Sequence, residues 1–210
     1  MTDYKINSIF PSTIMQTKYT GWREEDTTLA RELLQNPNAA LYNWSSKDTY
    51  VLNNHFSELR KFIEEAIQVY AENIIIGDKF NKSEYDFRIT QSWLNLCKGS
   101  SMGHHRHTHA NSVISGVYYI DVNEGIDVIE FDNEGKSTDT ILIKPKKMNQ
   151  FNGASYTFDI FNGLLILFSS SMGHGVPQLQ STNDRISLSF NVFPYGTICD
   201  DASKCGLTIA

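Results

Sequence analysis

The sequence predicts a mainly β domain with helices at its N-terminal end, built as a sandwich or jelly roll. Three observations carry that prediction. Helical periodicity is confined to the first third of the 210-residue chain. About seven short strand patterns with tight turns fill the last ~110 residues, which suits a sandwich or jelly roll better than a parallel α/β sheet. No repeat, low-complexity tract or linker divides the chain, and its length fits one core. We therefore expect one domain over 1–210: residues 1–84 mostly helical, 85–195 the jelly-roll core, and 196–210 a C-terminal tail.

The first helix is expected over Glu24–Leu34. Leu29, Leu33 and Leu34 recur at helical spacing, and Pro37 discourages continuation. A longer helix is expected from about Asn54 to Asn73. Phe56, Leu59, Phe62, Ile63, Ala66, Ile67 and Tyr70 form one apolar stripe, and Glu58, Arg60, Lys61, Glu64 and Glu65 the wet face. Strands are expected at Phe87–Leu96, Ser112–Asp121, Asp127–Phe131, Thr138–Ile143, Tyr156–Ile160, Leu164–Ser169 and Arg185–Phe193. Gly-containing turns such as Asn123-Glu124-Gly125 and Asn162-Gly163 separate them. In the last strand Ile186, Leu188, Phe190 and Val192 share one face, and Arg185, Ser187, Ser189 and Asn191 the other. The polar row lines either a cavity or bulk water. The helices are expected to pack outside one sheet.

Composition narrows the partners. A net charge of −6 gives no broad reason to bind nucleic acid or an anionic membrane. Lys144, Lys146 and Lys147 read as a solvated loop. The N-terminus lacks the pattern of a secretory signal, and the longest apolar run, Leu164–Phe168, is too short to span a bilayer. Three cysteines without a C-x-x-C pair favour a reducing cytoplasm (the host's, for a phage-encoded chain), although Cys199 and Cys205 are close enough in sequence to bridge.

The chemistry concentrates in histidine. Five of six histidines lie in Gly103-His104-His105-Arg106-His107-Thr108-His109 and Met172-Gly173-His174-Gly175. An H-x-H pair places two imidazoles on one side of an extended segment, and His105/His107 and His107/His109 both qualify. His174 is the sensible third donor, since His55 sits on the helical third. Iron, zinc and copper all accept such a set, and a histidine-rich surface loop that binds nothing is the competing reading. Arg185 follows His174 with ten residues between them. A guanidinium inside a barrel binds carboxylates in bidentate fashion, which a zinc hydrolase does not need there. The bland alternative for Arg185 is a surface ion pair with Asp184 or Glu130.

Several runs then carry a resemblance: Ser92-Trp93-Leu94-Asn95, His107-Thr108-His109-Ala110-Asn111-Ser112, Ser115-Gly116-Val117-Tyr118-Tyr119, His174-Gly175-Val176 and Arg185-Ile186-Ser187-Leu188-Ser189-Phe190-Asn191. Together they resemble the Fe(II)/2-oxoglutarate-dependent oxygenases of bacteria and phages, distant relatives of the prolyl 4-hydroxylases. Ile9-Phe10-Pro11 and Asp48–Val51 look similar too. The resemblance implies a double-stranded β-helix, a jelly roll supported by helices, holding one Fe(II). It implies His107, His109 and His174 as metal ligands and Arg185 and Ser187 on the remote carboxylate of 2-oxoglutarate. Tyr119 would contact the same cosubstrate, with Asn95 a further pocket residue and Trp93 core packing. The wider superfamily carries an acid where this chain has His109.

No catalytic side chain beyond the metal ligands is implied. The implied reaction consumes O2 and 2-oxoglutarate, hydroxylates a substrate, and releases succinate and CO2. A three-His cupin-type enzyme without 2-oxoglutarate and a non-catalytic metal-binding jelly roll are the alternatives. Substrate choice in such barrels rests on loops at the mouth, here Asn123–Ser137 and Lys144–Ser155. A protein side chain, a nucleobase and a small metabolite all remain candidates.

Overall fold

The structure is a computed structural model that describes residues 5, 7–9, 11–40, 43–82, 85–133, 144–149, 151–199 and 202–209. Helix α1 (Glu24–Leu33) matches its expected span. The expected second helix is present as α3 (Ser57–Tyr70), and a single unpredicted turn, α2 (Val51–Asn54), precedes it. The break between the two has a local cause. The Asn54 amide and the His55 ring both reach back to the Asp48 carboxylate, at 2.9 and 3.0 Å, which draws that stretch out of helical continuity. A π-helical segment over Ala71–Ile76 extends α3 and ends at Gly77, whose φ of 81° suits glycine.

The strands, in chain order, are β1 (Ile14–Lys18), β2 (Asn38–Ala40), β3 (Asn43–Ser45), β4 (Tyr85–Cys97), β5 (His104–His107), β6 (Ile114–Asp121), β7 (Val128–Asp132), β8 (Ser155–Asp159), β9 (Leu164–Ser169), β10 (His174–Val176), β11 (Arg185–Ile198) and β12 (Leu207–Ile209). They form two antiparallel sheets, the faces of a jelly roll. The larger runs β1-β9-β6-β11-β4-β3-β2, with β12 beside the far end of β11; the smaller runs β5-β10-β7-β8. The expected strand Thr138–Ile143 lies outside the described residues, as do parts of both expected mouth loops. Three strands in the N-terminal third went unpredicted, and residues 196–210, expected as a tail, hold the end of β11 and the whole of β12.

Strand alternation assigns the two faces of the large sheet. Leu94, Tyr118, Ile186, Leu188, Phe190 and Val192 face outward and pack with Leu59, Ile63 and Ile67 of α3 in one apolar cluster. Val117, Tyr119, Ile166 and Phe168 face inward and pack with Ile129 and Phe131 of the small sheet in a second. The order is therefore helices, large sheet, small sheet. Burying these faces is the main favourable term in such a fold. Arg185, Ser187 and Ser189 point between the sheets and line a cavity, so the polar row of the last strand faces inward rather than bulk water.

Gly116 of β6 allows the outer layer to close. A Cβ built there would lie 2.1 Å from the Phe190 ring and 2.7 Å from Leu167 Cδ2, both fully buried side chains. Gly116→Ala is therefore expected to destabilise the fold by about 1–3 kcal/mol, the usual cost of overpacking. Thermal unfolding checks this, and a melting temperature within a degree of the parent would refute it.

Cys199 and Cys205 are joined by a disulfide, with Cα atoms 5.9 Å apart, the pairing that the sequence left open. Cys97 is a buried thiol outside any disulfide. Among the described residues, no helix is long and apolar enough to cross a membrane.

Candidate metal centre

Three short structural accidents bring the histidines together. His107 ends β5 and stands opposite His174 of β10 in the antiparallel register. His109 lies just past β5, where its backbone N–H donates to the Ser170 carbonyl at 2.9 Å. Beneath it the Ser170 hydroxyl bonds those of Ser112 and Ser115, each at 2.8 Å, and so ties the two histidine-bearing loops to β6. The result is a compact trio whose ligand atoms all lie within 4.8 Å of one another. His107 is exposed, His109 half-buried and His174 buried.

Hydrogen bonds fix how the rings point. His107 Nδ1 lies 2.7 Å from the His105 carbonyl oxygen, and His174 Nδ1 lies 2.9 Å from that of Met172. A carbonyl can only accept, so both Nδ1 atoms carry the proton and both Nε2 lone pairs are left free. A second group orienting each imidazole in this way is the usual support for a metal-binding histidine. His109 Nε2 and His174 Nε2 sit 3.3 Å apart with their rings nearly parallel. Burial pushes both His109 and His174 down to about 4, so both are neutral near pH 7. Two neutral imidazole nitrogens this close, with the His107 ring beside them, suit a divalent transition metal. His105, the alternative partner for His107, contributes its carbonyl and keeps its side chain exposed.

The remaining expected residues lie on adjacent strands of the large sheet. Ser187 pairs in register with Asn95 on one side and Tyr119 on the other, so the three form one row across β4, β11 and β6. Arg185 stands two residues along, opposite Cys97. All five line a cavity of about 230 Å³ shared with His107, His109 and His174. Arg185 is 3% exposed. Its guanidinium lies 5.2 Å from the centroid of Tyr119, and Nη1 makes a long 3.4 Å contact to the Val128 carbonyl. Neither suspected surface partner reaches it: Asp184 pairs with Lys98 at 2.8 Å, and Glu130 with Arg106 at 2.8 Å. Among the described residues no carboxylate lies within ion-pair distance of this buried cation. Burial also pushes Tyr119 up to about 12, keeping its hydroxyl protonated.

Two of the wall residues that sequence reasoning missed bear on the site. Trp93, expected as core packing, is only half-buried and stands 6.2 Å from the His109 ring, held by a 3.1 Å bond from its Nε1 to Asn95 Oδ1. Its signal was available, since Trp93 and Asn95 are two apart on one strand and share a face. The second is His104, which lines the same cavity.

Residues 91–191 match the family described as putative 2OG-Fe(II) oxygenase. It is an oxidoreductase family, and the matched segment spans all three histidines of the trio together with Arg185. Solved structures share the oxygenase fold at low identity. A prolyl-4-hydroxylase from Pseudomonas putida is 14% identical with a TM-score of 0.55, covering 86% of this chain and 92% of that one. An oxidoreductase of the 2OG-Fe(II) oxygenase family from Burkholderia pseudomallei is 13% identical, with a TM-score of 0.53 and coverage of 86% and 84%. HygX from Streptomyces hygroscopicus, solved with nickel, 2-oxoglutarate and hygromycin B, is 8% identical, with a TM-score of 0.56 and coverage of 88% and 85%. No curated protein matches the chain in sequence.

Proposed function

We propose that the protein is an Fe(II)- and 2-oxoglutarate-dependent dioxygenase that hydroxylates its substrate. The observation that carries this reading is the pairing, in one cavity, of three converging imidazoles with a buried guanidinium that has no acidic partner among the described residues. In this reading His107, His109 and His174 hold the iron. Arg185 and Ser187 hold the far carboxylate of 2-oxoglutarate, and Tyr119 and Asn95 flank the same cosubstrate. The bound iron and cosubstrate supply the oxidising chemistry, consuming O2 and releasing succinate and CO2 as oxygen enters the substrate.

The chain's own groups do the rest. The two Nδ1–H donors to backbone carbonyls keep His107 and His174 in one tautomer and one orientation. Val117, Ile129 and Phe168 make the inner wall apolar and keep water from the reacting centre. Arg185 sets the register of the cosubstrate by engaging its remote end. No side chain is required as a general base.

One observation favours a second reading. The trio contains no carboxylate, which also suits a three-His metalloenzyme that uses no 2-oxoglutarate. A single experiment separates the two. Anaerobic addition of Fe(II) and then 2-oxoglutarate is expected to produce the weak visible charge-transfer band of an iron-bound 2-oxo acid. Intact protein that binds iron but forms no band with 2-oxoglutarate would transfer support to the second reading.

A further inference from the structure

Five buried side-chain atoms among the described residues have no hydrogen-bond partner: Ser101 Oγ, His104 Nε2, Tyr118 Oη, Tyr119 Oη and Arg185 Nε. Three of them, on His104, Tyr119 and Arg185, belong to residues lining the single cavity that holds the metal trio. A buried polar atom left unpaired is costly, so three orphans in one small space point to one polar ligand that satisfies them together. Tyr119 and Arg185 already have a place in the 2-oxoglutarate reading. His104 has none.

We propose that His104 is a binding residue for the cosubstrate, donating a hydrogen bond from Nε2 to the far carboxylate of 2-oxoglutarate beside Arg185. This rests on the reading that the cavity takes 2-oxoglutarate. The backbone explains how His104 arrives there. Positions 104 and 107 differ by an odd number and would face opposite sides of a regular strand. The register between β5 and β10 shifts by one, from His174 opposite His107 to Val176 opposite His104, and this bulge turns both rings into the cavity. Gly103 makes the approach possible. It has a φ of 72°, and a Cβ there would lie 2.3 Å from the carbonyl oxygens of Val176 and Pro177.

His104 is placed for the cosubstrate rather than for the metal. It is absent from the trio of converging ligand atoms, and its ring centroid lies 6.4 Å from that of His107. Burial first, and the charge of Arg185 second, push it down to about 4. A neutral ring next to a guanidinium supplies a donor without adding a second like charge, which suits one singly charged carboxylate.

The test is calorimetric titration of anaerobic, Mn(II)-loaded protein with two probes. 2-Oxoglutarate carries the far carboxylate; oxalate chelates the metal but lacks that extension. His104→Ala is expected to weaken 2-oxoglutarate about tenfold, as loss of one hydrogen bond to a charged group does, while oxalate and Mn(II) affinities hold. His104→Gln, which keeps an N–H donor of similar reach, is expected to recover most of the loss and guards against a folding defect in the alanine variant. Equal loss for both probes, or a fall in Mn(II) affinity, would overturn the proposal in favour of a metal or packing role. Unchanged 2-oxoglutarate binding in His104→Ala, with normal wild-type binding, would overturn it alone. Wild-type protein that binds oxalate but not 2-oxoglutarate would overturn the 2-oxoglutarate reading, and this inference with it.

Discussion

Arg185→Met is expected to weaken 2-oxoglutarate binding by about 100-fold or more, leave metal affinity unchanged, and raise the melting temperature of the ligand-free protein. The three effects share one cause. The guanidinium is 3% exposed and lies against the Tyr119 ring with one long carbonyl contact, and among the described residues its Nε has no hydrogen-bond partner and no carboxylate pairs with it. A buried charge left uncompensated is a liability to the fold, and replacing it with an apolar side chain of similar length commonly gains stability. The arrangement is economical only when a carboxylate enters the cavity and completes a bidentate pair. Stability and binding should therefore move in opposite directions, a common trade at functional sites. Thermal melts with and without 2-oxoglutarate read both arms. A variant that binds 2-oxoglutarate as wild type does would remove Arg185 from the cosubstrate site. A variant that loses stability would show that the guanidinium serves the fold.

The legibility of this site in the sequence followed the regularity of the backbone. Where strands are long and regular, alternation alone placed side chains correctly. Arg185, Ser187 and Ser189 line the cavity because Ile186, Leu188 and Phe190 must meet the helices, and that pattern is plain in the sequence. Where pairing is non-local or irregular, it was not. Strands β5 and β10 hold four and three residues, rich in histidine and glycine, and exist because they pair with each other and with β7. Their bulge breaks the parity rule, which is why His104 was invisible as a cavity residue. Strand β1 forms on the edge of β9, a partner about 150 residues away, and no local signal announces it. The turn α2 lies ahead of the apolar stripe that predicted α3 and is set off from it by contacts to Asp48, so no periodic signal announced it. Trp93 is a different failure. Its alternation was readable, but a large aromatic side chain was assigned to packing by type rather than by face.

His174→Ala is expected to lower divalent-metal affinity by about 100-fold or more, with His109→Asp keeping most of it. His174 is the buried member of the trio, 6% exposed, with its ring against Phe168 at 4.6 Å and its Nδ1–H fixed on the Met172 carbonyl. Its Nε2 is the one most completely committed in direction, so no neighbouring side chain can replace it. At position 109, by contrast, a carboxylate would supply a harder donor and one negative charge to the same divalent ion. The pH dependence follows from the same burial. His109 and His174 titrate near 4 in the fold and near 6.5 in an unfolded chain, so the unfolded state binds more protons between those values. Stability of the metal-free protein is thus full above about pH 6.5 and lost as pH falls toward about 4. Removing His174 takes away one of these groups and should flatten that acid-side decline. Metal held by these nitrogens carries the opposite expectation: proton competition from them begins only near pH 4, so affinity should persist through mildly acidic buffers. Mn(II) titrations and urea unfolding of wild type and His174→Ala at pH 5 and 7.5 measure both. An alanine variant with wild-type affinity and an unchanged acid slope would mean that the converging nitrogens do not act as one site.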